Sequence, residues 1–306
     1  MDSIMQNIST WVSAMRLRTL PLSIAGIIIA GCLAHYNGVF RWDIFILAIL
    51  TTLSFQILSN LANDYGDGVK GTDNEERIGP VRAIQSGEIS PEELINAIKL
   101  NIIISIVFAF ALIFCAFGVK HFFLTLFFFL LAIGSIVAAI RYTMGYNAYG
   151  YKGLGDIFVF TFFGLASVIG CYVLFAKQID HVTFLPAFTI GLLSTAVLNL
   201  NNMRDRLTDE KSNKITLAVK LGENKVKLYH NFLIFGAIIL SGLFGILYYT
   251  SPYNLIFMIA YVPLLLHLKR INNNQDPKLL DSELKKLALT TVLLAVLMGI
   301  GHLLPF

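Results

Sequence analysis

Apolar runs about twenty residues long recur along the chain, and a helix needs a run of that length to cross about 30 Å of hydrocarbon. Nine can be marked, near residues 21–40, 44–61, 94–118, 122–140, 157–176, 184–200, 228–249, 255–268 and 287–304. Their Leu, Ile and Phe are continuous, without the alternation of a barrel strand, and lipid satisfies no backbone hydrogen bonds, so each run reads as a helix. The chain has 306 residues, 56 % hydrophobic and only 14 % charged, against roughly 25 % charged in soluble domains. The expected fold is therefore all-α: a polytopic membrane protein of about nine transmembrane helices. It would form one integral-membrane domain over 1–306, with 1–19 as an amphipathic lead-in. The residues before the first run are mixed and no small-residue cleavage site follows it, which is not a signal-peptide pattern.

Orientation follows from the bases. Placing the N-terminus and every even-numbered loop on one side puts 20 of the 23 Lys and Arg there and leaves Arg41, Lys120 and Lys177 opposite. By the positive-inside rule the rich side is cytoplasmic. The net charge of +4 hides this asymmetry, and with no basic aromatic groove it says nothing for nucleic acid. Cys32, Cys115 and Cys171 stand singly in apolar runs without CxxC spacing, as packing residues would. The six His residues form no HxxxH pattern and read as interface or core side chains. There is no Walker loop, and Gly153-Leu154-Gly155 is too short for a dinucleotide fingerprint.

Seventeen of the nineteen acidic residues also fall on the cytoplasmic side, mostly in two motif loops, 62–90 and 201–226. In helical continuation of the second run, Asn60, Asn63, Asp64 and Asp67 fall at i, i+3, i+4 and i+7 and share a face; Asp205 and Asp209 do the same after the sixth. Like charges so spaced repel unless a cation holds them. Oxygen ligands without His or thiolate suit Mg²⁺, which keeps waters and shares its shell with substrate phosphates. That would explain the interleaved Lys70, Arg77, Arg82, Lys211 and Lys214. The plainer alternative is a pair of solvated loops anchoring helix ends. An EF-hand fits badly, because the alternating oxygen ligands and terminal Glu are missing.

The patterns Asn60-Leu61-Ala62-Asn63 and Asn199-Leu200-Asn201-Asn202 lie four spans apart. They suggest a parallel repeat, two four-helix halves plus one helix, with both motifs facing a central cavity. Between the halves, residues 141–156 are rich in Gly and Tyr, a poor helix and a plausible cap over the cavity mouth. The alternative reading of Tyr146 and Tyr149 is an interfacial aromatic belt. Ser90-Pro91-Glu92-Glu93 has the form of a capping box opening the third helix.

Multispan helices with an Asn63-Asp64-x-x-Asp67 motif after span two and an Asp205-x-x-x-Asp209 motif after span six resemble the UbiA superfamily of intramembrane aromatic prenyltransferases. The resemblance covers nearly the whole chain. Arg16-Leu17-Arg18-Thr19-Leu20-Pro21, Gly71-Thr72-Asp73, Gly79-Pro80-Val81-Arg82, Gln85-Ser86-Gly87, Tyr142-Thr143-x-Gly145, Gly153-Leu154-Gly155-Asp156 and Asn201-Asn202-Met203-Arg204-Asp205 look like the branch that prenylates 1,4-dihydroxy-2-naphthoate in menaquinone synthesis. Gly71 stands where many members carry a third Asp, with Asp73 as the available substitute, and Asn202-Met203 stand where other branches begin with Asp.

The resemblance implies a membrane enzyme of the inner (cytoplasmic) membrane, with N-terminus and motif loops cytoplasmic. Its partners would be a polyprenyl diphosphate, the aromatic acid and the lipid bilayer. Mg²⁺ on Asn63, Asp64, Asp67, Asp73, Asn202, Asp205 and Asp209 would neutralise the diphosphate as the allylic C–O bond ionises, with Asp67, Asp205 and Asp209 central to catalysis. Asn60, Lys70, Arg77, Arg82, Tyr142, Asp156, Lys211 and Lys214 would contact substrate, and Arg18, Arg141 and Lys152 are the candidates for the aromatic carboxylate. Attack at the carboxyl-bearing carbon, with loss of carbon dioxide and a proton, would give the demethylmenaquinol skeleton. The alternatives are another aromatic acid such as 4-hydroxybenzoate, or a cation-coupled transporter with paired acidic sites.

Overall fold

The computed structural model describes residues 9–17, 20–73 and 78–304. Arg18 and Arg77 lie outside these residues. Among those described there is no strand. Eight helical segments are long and apolar enough to span a membrane: α2 (Trp42–Val69), α3 (Pro91–Phe117), α4 (Phe122–Arg141), α5 (Gly155–Ala176), α6 (His181–Lys211), α7 (Leu217–Leu247), α8 (Pro252–Asn273) and α9 (Pro277–Leu303). The shorter, largely apolar α1 (Leu20–Tyr36, 17 residues) makes the ninth among the described residues, matching the number of apolar runs.

Two helices outrun the hydrophobic stretches that announce them. Span two was expected to end near 61, yet α2 continues two turns to Val69, and α6 likewise runs to Lys211. The motif residues are thus helical, and the loops are shorter than sequence suggests. Gly71, at φ 71°, turns the chain after the first motif, and Asn213, at φ 55°, after the second. The Thr216 hydroxyl then accepts from the Val219 N–H to begin α7. The expected capping box opens α3: Ser90 Oγ accepts from Glu93 N at 3.2 Å and Glu93 accepts from Ser90 N at 2.8 Å.

Phe110, Phe114, Phe123 and Phe127 face outward, as lipid allows, while Ile29, Leu33, Leu58, Ile190 and Leu193 fill the interior. The middle of α5, Phe160–Gly170, is wound as a π-helix. Gly164 there lies so close to α6 that a Cβ would sit 2.6 Å from the Ala187 carbonyl oxygen. α2 packs on α3 and α6 on α7, the same pairing four spans apart, and α9 closes the ring against α1 and α6. The ring encloses a cavity of about 1230 Å³ lined by α1 to α6 and α9, with α7 and α8 contributing no wall. The two halves therefore serve the cavity unequally.

Candidate active site

The i, i+3, i+4, i+7 face of α2 does enter the cavity: Asn60, Asn63, Asp64 and Asp67 all line it. Asp64 is almost fully buried and is held by Arg16, with Arg82 Nε 3.7 Å from the same oxygen. Asp67 accepts from the Tyr151 hydroxyl at 2.7 Å and from Lys214 Nζ at 3.0 Å. Asn63 accepts from Thr143 Oγ1 at 3.2 Å, and Asn60 donates to the Met15 carbonyl at 2.9 Å, which ties the residues before α1 to the motif.

Across the cavity, Asn202 and Asp205 of α6 line the same polar end. Arg204 grips Asp205 with two bonds, Nε to Oδ1 and Nη2 to Oδ2, each 2.8 Å, and its other Nη reaches Asp281 of α9 at 2.6 Å. Asp209 and Asp73 are buried outside the lining; Asp209 lies 3.7 Å from Lys214, and the Asp73 N–H meets the Asp67 carbonyl at 3.4 Å. Lys214 therefore joins the two motifs. Burial would lower the pKa of this ammonium, but the carboxylates of Asp67 and Asp209 outweigh it, so the pKa lies above the ordinary lysine value. For Tyr151, burial and then Asp67 push the phenol upward, which keeps it a donor.

The Gly- and Tyr-rich stretch folds over this end. Tyr142 and Tyr149 line the cavity, Tyr149 stacks on Phe158 at 3.9 Å, and Tyr146 is wholly exposed. Gly66 has to be glycine here, because a Cβ would lie 2.5 Å from Thr143 Oγ1 and 2.7 Å from its backbone.

Other expected site residues stand elsewhere. Arg141 ends α4 exposed and Lys152 reaches Asn147 at 3.2 Å; neither lines the cavity, so the structure does not place them for a carboxylate inside it. Lys211 is exposed at the end of α6, and Lys70 donates to the Thr143 carbonyl at 2.6 Å while lying 4.1 Å from the Tyr151 ring centre. Asp156 is buried behind the wall, accepting from the Tyr229 hydroxyl of α7 at 3.2 Å. Arg16, Arg204, Asp281, Lys285 and Lys286 also line the cavity, without a site role legible in the sequence. The first two lay within quoted motifs; for the α9 residues no local signal existed.

The donor set suits Mg²⁺: Asp and Asn oxygens from two helices at one polar end, without thiolate or imidazole. No three acidic, His or Cys side chains among the described residues converge as a ready-made metal cluster. The carboxylates are instead engaged by bases, an arrangement in which phosphate oxygens and an ion can exchange partners with Arg and Lys.

Two helices bearing Asn and Asp, meeting bases at the polar mouth of an apolar intramembrane cavity, define a site for an anionic lipid-like substrate. The chain belongs to the UbiA prenyltransferase family, whose model matches residues 24–301. It is 40 % identical over 290 residues to the 1,4-dihydroxy-2-naphthoate octaprenyltransferase of Escherichia coli, spanning 94 % of each chain. The enzyme of the same description from Haemophilus influenzae is 40 % identical over 304 residues, 98 % of this chain and 97 % of that one. Among solved structures, a UbiA homolog from Aeropyrum pernix superposes with TM-score 0.68 at 13 % identity, covering 92 % of this chain and 96 % of that one. One from Archaeoglobus fulgidus, bound to GPP and Mg²⁺, gives 0.66 at 15 %, covering 96 % and 99 %.

Proposed function

We propose that the protein transfers a polyprenyl group from polyprenyl diphosphate to 1,4-dihydroxy-2-naphthoate, releasing carbon dioxide and diphosphate and giving demethylmenaquinol. The observation that carries this reading is the pair of Asn/Asp helices facing one base-lined cavity, in a chain 40 % identical nearly end to end to enzymes named for that reaction. Metal would be held by Asn63, Asp64 and Asp67 on α2 and Asn202 and Asp205 on α6, all on the cavity, with Asp209 and Asp73 buried behind them as further ligands. When bound, Mg²⁺ offsets the charge that grows on the departing diphosphate.

The chain's own groups do the rest. Arg16, Arg82, Arg204 and Lys214 already point charge at the polar end and would turn from carboxylate to phosphate as substrate enters. The apolar wall below, with Leu112, Phe128, Leu131 and Phe162, takes the prenyl tail and excludes water that would trap an allylic cation. Tyr149, Phe158 and Phe162 offer ring faces that tolerate such a cation. The distribution of bases supports placing the motif ends on the cytoplasmic face of the inner membrane.

The test is incubation of purified protein with prenyl diphosphate, Mg²⁺ and naphthoate labelled in the carboxyl carbon. Label should leave as carbon dioxide, one equivalent per prenylated product. A product that keeps the label would refute the naphthoate reading in favour of a hydroxybenzoate-type reaction.

A further inference from the structure

Six described bases line the cavity: Arg16, Arg82, Arg204, Lys214, Lys285 and Lys286. The first four are committed to motif carboxylates, and Lys286 Nζ donates to Glu283 at 2.6 Å. Lys285 lines the cavity without a hydrogen bond or ion pair to any described residue. It follows Asp281 by four residues and so shares its helix face, about 6 Å further along α9 than the Asp281–Arg204 contact. Leu284, Ala288 and Leu289 continue the wall there with apolar surface. Among the described bases of the cavity, Lys285, exposed on α9, is therefore the one without such a partner, and it sits where the polar end gives way to the apolar one.

The rotation of α9 that puts it there is pinned by a buried chain across four helices. The Asn199 amide donates to His230 Nδ1 at 3.2 Å. The His230 proton therefore sits on Nε2 and is given to His267 Nε2 at 2.9 Å, and His267 Nδ1–H is given to Glu283 at 2.9 Å. Glu283, buried, also accepts from Arg270 at 3.3 Å. None of these groups lines the cavity.

We propose that Lys285 receives the carboxylate of the aromatic acceptor, with the Asn199–His230–His267–Glu283 chain fixing α9 so that the ring lies against the apolar wall beside it. This rests on the aromatic-acid reading given above. In that reaction the ring carbon bonds to prenyl C1 as the C1–O bond to diphosphate breaks; the bond to the carboxyl carbon then breaks, its electron pair restores the aromatic ring, and neutral carbon dioxide leaves. The charge Lys285 binds is lost along this path, so its contact favours the bound substrate over the transition state and is read in KM more than in kcat.

The experiment compares wild type, K285M, K285R and E283Q of the full chain in detergent under anaerobic conditions. Calorimetry measures binding of 1,4-dihydroxy-2-naphthoate and of 1,4-dihydroxynaphthalene, which lacks the carboxyl group. K285M should bind the acid about tenfold more weakly or worse, the size expected for a hydrogen bond to a charged group, with the diol unchanged. K285R should recover most of that affinity, and E283Q should lose an intermediate share. In turnover, KM for the acid should rise with KM for prenyl diphosphate unchanged. Equal affinity of K285M and wild type for the acid would overturn the proposal. So would equal losses for acid and diol, or a wild type that binds the acid no better than the diol. Binding of the acid without its prenylation would refute the proposed reaction, while the K285M comparison still decides the lysine.

Discussion

Lys214→Met removes the ammonium that joins the two motifs while keeping most of its volume. At an effective dielectric of about 20, the contacts at 3.0 Å to Asp67 and 3.7 Å to Asp209 correspond to about 5.5 and about 4.5 kcal/mol of attraction. Burying the ammonium offsets several kcal/mol of this, so the net loss on breaking the cluster should be about 3–5 kcal/mol. Most of that cost is the two carboxylates left buried and facing each other. A loss of about 3 kcal/mol corresponds to about 6 °C in Tm for a chain of this size. The assay is thermal unfolding of detergent-solubilised protein in EDTA and in Mg²⁺. K214M should lose several degrees in EDTA and regain more on adding Mg²⁺ than wild type does, because a divalent ion takes over the cation's place between the motifs. The double variant D67N/K214M should be less damaged than the sum of the single ones by at least about 1 kcal/mol. Strict additivity, or a K214M Tm equal to wild type in EDTA, would refute the reasoning.

Asp67→Asn and Asp205→Asn should each abolish turnover while leaving inserted, folded protein, read by product mass and by gel filtration; EDTA should stop the reaction and Ca²⁺ restore it poorly, its larger and looser shell suiting diphosphate less well. Near-normal activity of either variant at saturating Mg²⁺ would remove that residue from the site. Topology is tested by single cysteines replacing Asn213 and Val119 in a background without Cys32, Cys115 and Cys171: impermeant maleimide should label the second in intact cells and the first only once the inner face is opened.

Much of this molecule is local in origin. Nine apolar runs dictate the nine spanning helices of the described residues because each must satisfy its own backbone in lipid, and Ser90 and Glu93 start α3 within four residues of sequence. The face shared by Asn60, Asn63, Asp64 and Asp67 follows from 3.6 residues per turn, and the structure puts all four on the cavity. What sequence could not supply is which base meets which acid, since that depends on how helices far apart in the chain pack. Arg141 and Lys152, candidates for the aromatic carboxylate, lie outside the cavity lining, while Asp281, Lys285 and Lys286 enter from α9 some eighty residues beyond the second motif. Likewise, six scattered histidines showed no pattern, because His230 and His267 come within 2.9 Å only when α7 and α8 pack side by side. Helix formation and the facing of side chains are properties of a few consecutive residues. The closing of α9 against α1 and α6 is set by interior contacts along whole helices, and it is what brings Asp281, Lys285 and Lys286 to the same cavity as the two motifs.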